Sequence, residues 1–92
     1  MNTISEKEQS LQARLTALTT RIHDGELALH SMEDVEETQR RSAAWQFGRA
    51  RQLVVSYHDR LDTFTEAELD VVESTIDLAQ KHVDSGFGIL NR

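Results

Sequence analysis

The sequence predicts an all-α protein with three helices in an antiparallel arrangement and a long central helix. The chain contains no proline and only four glycines among its 92 residues, so long segments lack a helix breaker. No segment shows the alternation of apolar and polar residues that is typical of a half-buried strand. In the middle of the chain, apolar residues instead follow at steps of four and three, which places them on one face of a helix: Ala43, Phe47, Ala50, Val54, Tyr57 and Leu61.

The composition predicts a single small domain over residues 1–92 with a thin hydrophobic core. A chain of this length buries only about 60 to 65 % of the surface that it exposes when unfolded. The formal net charge of −6 argues against general coating of nucleic acid, because phosphate binding needs positive surface. The absence of cysteine excludes a disulfide framework and fits a reducing compartment. The start is polar and no apolar run approaches about 18 residues, so we expect a cytoplasmic protein without membrane contact.

The first helix is predicted over about residues 4–24. Its apolar row is narrow, with about two positions per heptad, which indicates packing against one partner helix as in a coiled coil. The row consists of Ile4, Leu11, Leu15, Leu18 and Ile22. Gly25 is predicted to end this helix, since glycine adopts the left-handed conformation that closes a helix C-terminus. The alternative is that Gly25 lies inside one long helix that continues into the next.

The second helix is predicted over about residues 31–62. Ser31 is the expected N-cap, and the acidic residues that follow it suit the positive end of the helix dipole: Glu33, Asp34, Glu36 and Glu37. About 30 residues in a helix span roughly 45 Å. Neither neighbouring helix could cover that length alone, so we expect a homodimer that forms a larger helical bundle, or a tight complex with another helical protein. The alternative is a monomeric bundle.

The third helix is predicted over about residues 66–84 and has the clearest start in the chain. Thr65 and Glu68 match a capping box, in which each side chain accepts a hydrogen bond from the other residue's backbone. Its apolar row is Leu69, Val72, Ile76, Ala79 and Val83. Gly86 is expected to end the helix and leave a short tail over residues 86–92.

Trp45 is the strongest candidate for a functional residue. On a helical wheel it lies about 160° from the centre of the apolar row, and Arg41 and Arg49 lie four residues before and after it. Tryptophan and arginine are enriched among interface hot spots. The pattern predicts a protein-binding surface of Trp45, Arg41, Arg49, Leu53, Val71 and Leu78. The alternative is that Trp45 is covered by the first helix or by a second copy of the chain.

Acidic residues form a row on the third helix: Asp70, Glu73, Asp77 and Asp84. This row is either a solvated face or the partner of the arginines in the second helix, within one chain or between two. Exposed ion pairs contribute only about 0 to 1 kcal/mol each, so such pairing would fix register more than stability.

The sequence contains no specific catalytic, cofactor or metal motif. The four histidines never stand three or four residues apart, so no two form the one-turn pair of a helical metal site. We therefore expect a non-enzymatic protein without cofactor, metal or small-molecule substrate: a small regulator, adaptor, chaperone or inhibitor that docks onto another protein. The alternative function is a small RNA- or DNA-binding helical dimer that uses the central arginines Arg40, Arg41, Arg49 and Arg51.

Overall fold

A computed structural model describes residues 6–91, which form three α-helices. Helix α1 spans Glu6–Ser31, α2 spans Glu37–Val54 and α3 spans Glu66–Leu90. Two single-turn 3-10 helices, Val55–Tyr57 and Leu61–Thr63, connect α2 to α3. The bundle is elongated, with extents of 54 × 19 × 18 Å. Within the described residues there is no strand, so the prediction of three helices and no sheet is confirmed.

Each helix contributes one apolar row to a common core. The buried rows are Leu11, Leu15, Leu18, Ile22 and Leu29 on α1, Ala43, Phe47, Ala50 and Val54 on α2, and Leu69, Val72, Ile76, Ala79 and Val83 on α3. These are the predicted rows with Leu29 added. Tyr57 is only half-buried, and Leu61 is buried from a 3-10 turn. The predicted start near residue 4, with Ile4 in the row, lies outside the described residues.

The predicted boundary between the first two helices is wrong. Helix α1 continues through Gly25 to Ser31, and the connection to α2 occupies residues 32–36. Ser31 is therefore the last residue of α1, and Glu36 is the N-cap of α2 without a side-chain capping bond. A side chain of α2 caps the backbone at the C-terminal end of α1: Arg40 Nη2 donates a hydrogen bond of 2.6 Å to the carbonyl oxygen of Met32.

The prediction of a long central helix is also wrong. Helix α2 has 18 residues, against 26 in α1 and 25 in α3. After Val54 the chain turns through the two 3-10 helices, and between them Asp59 has a left-handed backbone with φ of 61°. Since α1 and α3 both exceed α2 in length, the excess length that predicted a homodimer does not exist.

Gly86, like Gly25, lies inside a helix, and the physical reason is the ring of Phe47. A methyl group on Gly25 would lie 2.5 Å from two carbons of this ring, and one on Gly86 would lie 2.7 Å from the same two carbons. The ring of Phe47 is fully buried between α1 and α3. The two glycines are therefore sites of close helix packing rather than helix ends. Residues 86–90 of the predicted tail belong to the end of α3, in which Ile89 and Leu90 are buried, and Arg92 lies outside the described residues.

A ladder of ion pairs joins α1 to α3. Lys7 pairs with Asp70, Arg14 with Asp77 at 2.5 Å and Arg21 with Asp84 at 2.9 Å. The three pairs share one sequence separation of 63 residues, which requires α1 and α3 to run parallel. The bundle is thus up, down and up, with α2 antiparallel to both neighbours. The alternative in which this acidic row pairs with the arginines of α2 within one chain is not found for the three aspartates, since α1 supplies their cations.

The capping box at the start of α3 is present as predicted. The backbone N–H of Thr65 donates to Glu68 Oε1 at 2.9 Å, and the backbone N–H of Glu68 donates to Thr65 Oγ1 at 3.2 Å. The pKa of Glu68 is lowered, first by the hydrogen bond from the Thr65 backbone and then by the Thr65 side chain.

Replacing Gly86 by alanine should destabilise the fold by about 1 to 3 kcal/mol, because the new methyl group overpacks the core against Phe47. The matched control is Gly88→Ala in the same helix, where a methyl group meets no atom within 4 Å. That change should stabilise the protein by about 0.5 to 1 kcal/mol through helix propensity alone. Urea unfolding monitored by circular dichroism measures the free energy of unfolding of both variants and of the wild type. Equal stabilisation by the two changes would contradict the packing of Gly86 on Phe47.

The lowered pKa of Glu68 predicts a loss of stability in acid. A carboxyl whose pKa is lower in the folded state stabilises the fold fully above its ordinary value of 4.5. This contribution disappears as the pH falls through the lowered folded-state pKa. An NMR titration of the Glu68 carboxyl carbon should give a midpoint below 4.5, and the free energy of unfolding of Glu68→Gln should depend less on pH in that range. A Glu68 midpoint at or above the ordinary value would be inconsistent with the capping box.

Candidate functional site

Trp45 lies on the outer side of α2, directly behind the most buried part of the core. Its side chain is 62 % exposed, whereas Ala43 and Phe47, two residues away on either side, are fully buried. Residues two apart on a helix point in nearly opposite directions, so burial of Phe47 turns Trp45 to solvent. Within the described chain, neither α1 nor any other segment covers it.

The indole of Trp45 is held by a contact with α3. Its ring meets the ring of His82 edge to face, with the centroids 5.8 Å apart and an interplanar angle of 76°. His82 Nδ1 lies 2.6 Å from Gln46 Oε1. Because an amide oxygen can only accept, Nδ1 is the donor, and this bond fixes the orientation of the imidazole that supports Trp45.

The outer side of α3 continues this surface with two more exposed apolar side chains. Val71 is 63 % and Leu78 45 % exposed, and they stand seven residues apart. Thr75 and His82 each lie four residues beyond one of them, so all four share one side of α3. Thr75 also contacts the 3-10 helix that follows α2, because the hydroxyl of Tyr57 donates a hydrogen bond of 3.5 Å to its Oγ1. From Val71 to His82 this side is roughly 16 Å long.

The outer sides of α2 and α3 therefore form one surface, which we call the α2–α3 face: Arg41, Trp45, Arg49, Leu53, Val71, Leu78 and His82. It contains all six residues of the predicted protein-binding surface. Leu53 is half-buried and packs against the core, whereas the other five are exposed.

The α2–α3 face carries the cations Arg41 and Arg49, although the whole chain has a net charge of −6. After Glu37, α2 contains no acidic residue. The aspartates of α3 lie on its α1 side, where the ion-pair ladder holds them. Arg41 pairs with Glu37 at 3.4 Å, and Arg49 makes no ion pair with another described residue.

The four central arginines do not form one patch. Arg40 is turned back to the carbonyl oxygen of Met32, and Arg51 is bound to Glu26 on α1. The hydrogen bond to the Glu26 carboxylate raises the pKa of Arg51. Only Arg41 and Arg49 remain on the α2–α3 face, so the structure divides the predicted nucleic-acid contact between two sides of α2.

A groove that the sequence pattern did not reveal lies between the first half of α1 and the connection from α2 to α3. Its volume is about 830 Å³, and its polar lining includes Gln9, Gln12, Thr16, Asp59 and Asp62. Within residues 6–91 no group of three or more His, Cys, Asp or Glu side chains is arranged to hold a metal ion. The groove could be recognised only from the fold, since its lining comes from segments more than 40 residues apart in the sequence.

No protein-family model, curated protein or solved structure matches this chain. None of the helices formed by residues 6–91 combines the length and the apolar character needed to cross a membrane.

Proposed function

We propose that this protein is a non-enzymatic interaction protein, a small regulator, adaptor, chaperone or inhibitor, which docks onto another protein through the α2–α3 face. The observation that supports this most directly is Trp45, 62 % exposed on a helix whose opposite side is fully packed. A large aromatic side chain buries about 150 to 250 Å² when fully covered. Covering the exposed part of Trp45 would therefore contribute roughly 2 to 4 kcal/mol to binding.

The surroundings of Trp45 favour its use as an anchor. His82 supports one side of the indole from α3, which reduces the side-chain ordering that binding would require. Arg41 and Arg49 stand one turn before and after it, and tryptophan and arginine are both among the residue types enriched in interface hot spots.

We favour a different protein over a second copy as the partner. Two copies that paired through this face about a twofold axis would use the same residues on both sides. Such an interface would bring two basic faces together, and like charges across an interface are unfavourable. The homodimer expected from the sequence is thus an alternative outcome of the experiment below. The absence of enzymatic activity and the cytoplasmic location stay predictions.

The matched variants Trp45→Ala and Val55→Ala test the proposal. Val55 is 58 % exposed on the 3-10 turn after α2, outside the α2–α3 face. Tagged wild-type protein and both variants are used to capture partners from an extract of the native host, and bound proteins are identified by mass spectrometry. We expect the same protein with wild type and Val55→Ala, and its loss with Trp45→Ala. Circular dichroism should show all three equally helical, since both side chains contribute little to the core.

Two results would contradict the proposal. One is a set of captured proteins that Trp45→Ala leaves unchanged. The other is retention of nucleic acid that is released as salt rises, which is the behaviour of phosphate binding and would favour the alternative function. Light scattering on the purified protein completes the test: a mass of 10.5 kDa supports a monomer that binds a foreign partner, and twice that mass, lost in Trp45→Ala, assigns the face to self-association.

A further inference from the structure

We infer that the partner segment which occupies the α2–α3 face is an acidic amphipathic α-helix, with one apolar row flanked by carboxylates. This inference rests on the proposed function and specifies the chemistry of the partner. It follows from the backbone of the face, the spacing of its apolar residues and its charge.

The backbone of the face excludes pairing with an extended strand. Recognition by strand addition needs a sheet edge with free N–H and C=O groups. The residues of the α2–α3 face lie in helices α2 and α3, whose interior backbone groups are bonded within each helix. Side chains alone are therefore offered to a partner, which is the situation in which a helix packs its apolar row against another helical surface.

The spacing of the apolar residues matches a helical partner. Val71 and Leu78 are separated by seven residues, the repeat with which side chains of one helix meet those of a neighbour in a coiled coil. Trp45 stands beside His82, one turn beyond Leu78. A partner helix that lies along α3 over about three turns would cover Val71, Leu78 and Trp45 in succession.

The charge of the face predicts acidic flanks on that helix. Arg41 and Arg49 are exposed one turn before and after Trp45; Arg41 pairs with Glu37, whereas Arg49 makes no ion pair with another described residue. A carboxylate on a partner would therefore meet Arg49 without competition from an ion pair of the described chain. The helices of a second copy of this chain do not fit this description, because the apolar rows of α1, α2 and α3 are already buried in that copy's own core.

Two synthetic peptides of 21 residues, both free of tryptophan, test the inference. Each carries leucine at alternating steps of three and four. The flanking positions are glutamate in the acidic peptide and lysine in the basic peptide. Trp45 is the only tryptophan of the chain, so its fluorescence reports directly on the face. We expect saturable binding of the acidic peptide, at least about tenfold tighter than that of the basic peptide.

Variants of the protein locate the peptide. Binding measured by anisotropy of labelled acidic peptide should be weakened at least about tenfold by Arg49→Glu and by Trp45→Ala, and unchanged in Val55→Ala. Equal binding of both peptides, no binding of either, or preference for a single-stranded oligonucleotide over the acidic peptide would overturn the inference. If the acidic peptide fails while a protein is captured in a Trp45-dependent manner, the partner chemistry is wrong and the proposed function stands. If that capture also fails, both are wrong.

Discussion

The structure depends on one packing constraint, the insertion of the Phe47 ring between two glycines. Gly25 and Gly86 bring α1 and α3 so close to this ring that even a methyl group on either would overlap it. Phe87 closes the same site, with its ring 5.1 Å from that of Phe47. In a thin core, one fully buried aromatic ring that touches all three helices sets their relative heights and spacing.

This constraint also determines what the surface presents. With Phe47 directed inward, the helical repeat directs Trp45 outward and brings it beside His82. The ladder between α1 and α3 holds the aspartates of α3 on one side of the bundle. The α2–α3 face is left basic and partly apolar, on a chain whose net charge is −6. The core and the proposed docking surface are thus two consequences of the same arrangement.

Local pattern predicted the part of the fold that depends on local contacts. The apolar rows and the capping box at Thr65 follow from spacing within one helix, and both are present. The helix ends at Gly25 and Gly86 were wrong, because only the tertiary contact with Phe47 explains a glycine inside a helix. The end of α2 at Val54 was missed since the apolar spacing continues to Leu61. Lys7, Arg14 and Arg21 repeat every seven residues, as do their aspartate partners, so this signal was present in the sequence. By contrast, the contact of Trp45 with His82 joins residues distant in sequence and has no local signature.

The most direct test of this account is a set of nuclear Overhauser effects from the ring protons of Phe47. We predict strong effects to the α-protons of both Gly25 and Gly86, and none to the indole of Trp45. In a sample that mixes labelled and unlabelled chains, these effects should arise within one molecule. Effects to only one glycine, or effects that arise solely between molecules, would contradict a bundle organised around Phe47 within a single chain.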